Sequence, residues 1–100
     1  MSDRIYTIDE IKAIVEPIAK SYGVQRVFLF GSYARGEATA SSDLDFRIDK
    51  GKLRGLFALG GLYTDLAECF GKELDVLTTG SLEPEFLNMI ANEEILVYEA

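Results

Sequence analysis

The chain has 100 residues, 48% hydrophobic and 27% charged, the make-up of an ordinary folded domain. Its net charge of −7 suits a metal-bound nucleotide or a basic protein surface better than free nucleic acid, which is held mainly by Lys and Arg. There is no His, and Cys69 is the single cysteine. His-dependent triads, His-bearing zinc sites, internal disulfides and thiolate clusters are therefore excluded, and any catalysis must run on carboxylates, hydroxyls, Lys, Arg and metal.

A chain this short buries roughly 60–68% of its unfolded surface, enough for one core. The expectation is a single domain over 1–100, with no second lobe to grip a large substrate. No apolar run approaches the roughly 18 residues needed to span a bilayer. The opening MSDRIYTIDE lacks the charged-then-apolar order of a secretory signal. A cytoplasmic protein that binds neither membrane nor nucleic acid directly is expected.

Thr7 and Glu10 fit a capping box, followed by Ile8, Ile11, Val15, Ile18 and Tyr22 at helical spacing. Pro17 should kink this helix and Gly23 should end it. Val24 to Phe30 has the β-branched and aromatic content of a buried strand. Gly31-Ser32 breaks it and opens a short helical turn through Arg35, and a polar loop covers 37–42. Asp43 to Ile48 alternates charged residues with Leu44, Phe46 and Ile48, the period of a second strand.

Leu53 to Phe70 reads as a longer helix with Leu56, Leu59, Tyr63, Leu66 and Phe70 on one stripe. Gly60-Gly61, each costing about 1 kcal/mol relative to Ala, leaves room for a bend or break in it, and Cys69 should be a buried small hydrophobe within it. Glu73 to Leu77 is a third strand. Pro84 to Ala91 is a short helix with Ser81 or Glu83 as cap, and Ile95 to Tyr98 is a last strand. These elements predict an α/β (α+β) fold: one mixed sheet of about four strands flanked by helices.

A strand that ends in Gly and turns into a helix aims unpaired N–H groups outward, and these bind phosphate. Gly31 allows close approach and Ser32 adds a hydroxyl, although a Gly-Ser pair alone is equally a turn with an N-cap. Asp43 and Asp45, two apart on a strand, share one face at roughly 7 Å, a span that a divalent cation can bridge. Without a cation one of the pair should have a raised pKa, unless Arg47 on the same face neutralises it. Asp75 leaves the core face of an otherwise apolar strand, an unfavourable place unless it is paired or metal-bound. If the second and third strands are neighbours, three carboxylates converge beside a phosphate-binding turn.

Gly31-Ser32, ten residues, then Asp43-x-Asp45, within GSYARGEATASSDLDF, resembles the signature of minimal nucleotidyltransferases of the DNA polymerase β-like superfamily, the MNT proteins. The later LDVL resembles the segment that carries their third acid. The resemblance implies the nucleotidyltransferase fold. It implies that Asp43 and Asp45 hold two Mg²⁺ ions and that Asp75 binds the second ion and acts as base. It also implies that Gly31 and Ser32 hold the β- and γ-phosphates of ATP. Arg35 either reaches a phosphate or braces the turn, with bracing favoured because its Ala-Arg-Gly stretch follows the turn; Tyr33 and Gly36 are structural. MNT proteins pair with HEPN-type RNase toxins. The resemblance therefore implies transfer of AMP from ATP to a hydroxyl, that of a Tyr, on a HEPN-type toxin held in a hetero-oligomer with its antitoxin. A non-catalytic antitoxin that neutralises by binding, and an adenylyltransferase acting on a small molecule, are the alternatives.

Overall fold

The structure, a computed structural model, describes residues 4–100. Met1, Ser2 and Asp3, the start of the segment read for a secretory signal, lie outside the described residues. Helix α1 spans Ile8–Tyr22 and begins with the expected box. The Glu10 N–H donates to Thr7 Oγ1 at 3.1 Å, and the Thr7 N–H donates to the Glu10 carboxylate at 2.9 Å. Gly23 closes it by donating to the carbonyls of Ala19 and Lys20. Pro17 does not interrupt the helix: it lies on the exposed side, as does Ala13, whose carbonyl loses the Pro17 partner and is left to water.

Four strands form one mixed sheet in the order β3-β2-β1-β4. Strand β1 (Arg26–Phe30) pairs antiparallel with β2 (Leu44–Asp49) on one side and with β4 (Ile95–Glu99) on the other. Strand β3 (Leu74–Thr78) lies parallel to β2, which requires a crossover, and helix α2 (Gly55–Phe70) supplies it. Val27, Leu29, Leu44, Phe46, Ile48 and Leu74 pack in one core with Ile11 and Val15 of α1 and Leu62, Leu66 and Phe70 of α2. Side chains of opposite parity, Phe28, Phe30, Asp45 and Arg47 among them, take the other face. On that face Phe86 of helix α3 (Pro84–Ile90) meets Phe30 edge-on with centroids 5.9 Å apart. Neither Ser81 nor Glu83 caps α3 with its side chain; Glu83 holds the N-cap position and Pro84 starts the helix.

Helix α2 departs most from expectation. It begins at Gly55, so Leu53 is buried in the preceding loop. Leu56 is 85% exposed and Tyr63 42% exposed, while Leu62, Leu66 and Phe70 carry the buried stripe with Leu59 partly covered. This helix is apolar on most of its circumference, so spacing could not choose the buried row; packing against α1 does. Cys69 lies at the margin of that row in the last turn and is exposed. Gly60 and Gly61 do not break the helix. Gly61 instead admits Tyr22: a Cβ there would stand 2.7 Å from the Tyr22 hydroxyl, which donates to Asp65 at 2.7 Å. Gly60 faces open space. No helix among the described residues is long and apolar enough to cross a membrane.

The two neighbouring glycines should therefore respond differently to alanine. Gly60→Ala should stabilise the fold by about 1 kcal/mol through helix propensity. Gly61→Ala should fall short of that gain because Tyr22 must leave Asp65. Urea unfolding of the two variants beside the parent checks this.

Candidate active site

Strand β1 ends at Phe30, directly opposite Asp45 on β2. The next residue, Gly31, has φ 77°, a left-handed conformation that side chains resist. An added Cβ would overlap Asp45 Oδ2 and stand 3.2 Å from Asp45 Cγ, so the Gly31 backbone rests against that carboxylate. The chain then makes a compact turn over 32–36, in which Arg35 N–H donates to the Gly31 carbonyl at 3.1 Å and Glu37 N–H to that of Ser32 at 2.9 Å. Buried Tyr33 pins this turn to the core. No α-helix follows, so any anion held here meets the amides of one turn rather than a helix dipole. Among the described residues no protein acceptor takes the Ser32 N–H.

The parallel register of β2 and β3 sets Asp45 opposite Asp75. The Asp45 carboxyl is pushed up from 3.8 to about 6. Burial is the chief cause, followed by the charges of Asp75 and Asp43 and a hydrogen bond with Asp75; the Arg35 charge opposes the rise. Asp43 sits exposed just before β2, close enough to be felt. The expected raised pKa thus falls on Asp45. The charges of Asp75 and Asp43 thus add to burial in making Asp45 hard to ionise, and a positive charge placed there would relieve it.

The donor chemistry fits a hard divalent cation: oxygen ligands only, adjacent, and short of positive charge. Among the described residues, though, no three carboxylates are already gathered tightly enough to hold an ion. Asp45 and Asp75, opposite each other across the two strands, are the pair that would take one first, with Asp43 turning in.

Arg47 does not neutralise the pair, as one reading of its strand position allowed. It is turned into a nearly buried fork with Glu94, at 2.6 and 2.9 Å, lies 4.1 Å over the Phe28 ring and donates to Thr79 at 2.7 Å. Arg35 braces the turn, bonding Glu37 at 2.9 Å and both oxygens of Glu93 at 3.3 and 3.4 Å. Glu93 also accepts the Gly31 N–H at 3.1 Å. Sequence reasoning missed Glu93 and Glu94. Two acids between a helix and a strand look like surface charge, and only the return of β4 to β1 brings them here.

A Gly-Ser turn in contact with a carboxylate that is paired across a parallel strand is the arrangement that the resemblance to nucleotidyltransferases implies. Residues 12–100 match the family model for polymerase beta nucleotidyltransferases, and the chain belongs to that family. It is similar to a candidate protein adenylyltransferase of Methanocaldococcus jannaschii, 42% identical over 88 residues that cover 88% of this chain and 95% of the relative. Among solved structures it resembles a candidate minimal nucleotidyltransferase (TM-score 0.76, 29% identity, 90% of this chain and 95% of the other). It also shares the fold of a chain from a complex of tri-AMPylated Shewanella oneidensis HEPN toxin with MNT antitoxin (TM-score 0.71, 14% identity, 94% of this chain and 74% of the other).

Because Asp45 has a higher pKa folded than unfolded, the native state holds the extra proton. Stability from this group is present below pH about 4 and lost as pH rises through about 6. In chelator, Asp45→Asn should therefore raise the melting temperature at pH 7.5, and the gain should vanish near pH 4. Melting curves across that range decide it.

Proposed function

We propose that this chain is a protein adenylyltransferase that transfers AMP from ATP to a hydroxyl, that of a Tyr, on a HEPN-type toxin and so acts as its antitoxin. The observation that carries this is the contact of Gly31 with Asp45, itself paired with Asp75, which sets phosphate donors beside metal ligands. Gly31 and Ser32 take the β- and γ-phosphates. Asp43 and Asp45 hold two Mg²⁺ ions, the second shared with Asp75. When bound, such a pair supplies charge to the attacking and leaving oxygens of an in-line displacement.

The chain's own residues do the rest. Asp75, exposed at the edge strand, faces an incoming acceptor and takes its hydroxyl proton. The acceptor oxygen bonds the α-phosphorus, the bond to the α–β bridging oxygen breaks, and pyrophosphate leaves into the Gly31-Ser32 turn. The AMPylated toxin in the complex that shares this fold supports a protein acceptor. The net charge of −7 favours docking to a basic, RNA-cleaving partner.

With labelled ATP, Mg²⁺ and a HEPN partner, label should enter the partner. Asp45→Asn and Asp75→Asn should each lower transfer by at least about a hundredfold, the scale of losing one preorganised electrostatic group. Toxin neutralisation without any label transfer would instead make the chain a binding antitoxin. Label entering a small hydroxylated acceptor with no protein present would make it a small-molecule adenylyltransferase.

A further inference from the structure

The Gly31 N–H, which the proposed function gives to the triphosphate, is already engaged. Glu93 Oε1 accepts it at 3.1 Å, and the same carboxylate lies 3.3 and 3.4 Å from Arg35 Nη1. A carboxylate that takes one backbone amide and one guanidinium at once occupies the place of a phosphate oxygen. The geometry points to Glu93 as an internal anion that competes with the triphosphate for the turn and so sets the enzyme's affinity for nucleotide.

Three features suit Glu93 to leaving. Its side chain is 26% exposed, so water can receive it. The loop that carries it is held independently: the Glu93 and Glu94 N–H groups both donate to the Ile90 carbonyl at 3.0 Å, and Glu94 is forked onto Arg47. Release therefore takes a side-chain rotation and leaves the loop in place. Arg35 keeps Glu37 at 2.9 Å when Glu93 departs, so the turn does not collapse. With Glu93 in place, its charge and those of Asp43, Asp45 and Asp75 would repel a polyphosphate; with Glu93 out, Arg35 faces it.

The inference rests on the reading of this turn as a triphosphate site, and calorimetric titration of the full-length chain tests the two separately. Parent, Glu93→Gln and Glu93→Ala are each titrated with Mg·ATP, with Mg·tripolyphosphate and with adenosine. If Glu93 holds the turn about nine-tenths of the time, Glu93→Ala should bind ATP and tripolyphosphate about tenfold more tightly than the parent, and Glu93→Gln, which loses only the charge, should bind them more tightly by a smaller factor, with adenosine unchanged. Glu93→Gln is nearly isosteric and still accepts the Gly31 N–H, which guards against a folding defect in Glu93→Ala. A second readout is the Gly31 amide resonance, which should move on ATP binding in the parent and be displaced already in nucleotide-free Glu93→Ala. Equal or weaker polyphosphate binding in both variants, with a parent that binds ATP, would make Glu93 a fixed brace and overturn this inference alone. A parent that binds neither ATP nor tripolyphosphate would overturn it together with the function proposed above.

Discussion

The site depends on one juxtaposition: β2 and β3 run parallel in a register that sets Asp45 against Asp75. Left to itself Asp45 opposes folding above pH about 6, since burial first and the charges of Asp75 and Asp43 second disfavour its ionised form. What holds it is the opposite face of the same strands. Leu44, Phe46 and Leu74 are buried against α1 and α2, and a slip of one residue would drive them into water. The hydrophobic register of the core thus fixes the spacing of the acids.

Gly31 follows from the same constraint. Its backbone must come against the Asp45 carboxylate, and no Cβ fits between them. The turn and the acids are therefore one unit: a phosphate held at the turn lies beside a metal held at the pair. A serine-capped turn elsewhere on the surface would bind an anion without placing it for reaction.

The strands and the capping box of α1 were legible in the sequence because alternation and capping are local signals, whereas the pairing of β2 with β3, a condition of the expected site, is made by the α2 crossover. The raised pKa was legible in kind, and its seat on Asp45 came from burial that no pattern reveals. Helix α2 was misread where its apolar residues exceeded one face. The spacing puts Leu56 and Tyr63 in the buried row, where the structure puts Leu62 instead because α1 makes the choice, and Cys69, expected to be buried, is exposed. Gly61 looked like a breaker and is a seat for Tyr22. Glu93 and Glu94 escaped because their partners lie some sixty and fifty residues back along the chain, joined only through the pairing of β4 with β1.

Those two adjacent carboxylates act on two arginines of one face, and the difference between the arginines decides what each can do. Arg47 and Glu94 are 11% and 10% exposed and forked, so separating them would leave a charge in a nearly dry place. Arg35 is 44% exposed and meets Glu93 at 3.3 Å or more, a contact that water can replace at little cost. The first pair therefore fixes the loop after α3, and the second is free to exchange. Of the two, only Arg35 can be lent to an arriving polyphosphate, and it can be lent only when Glu93 yields.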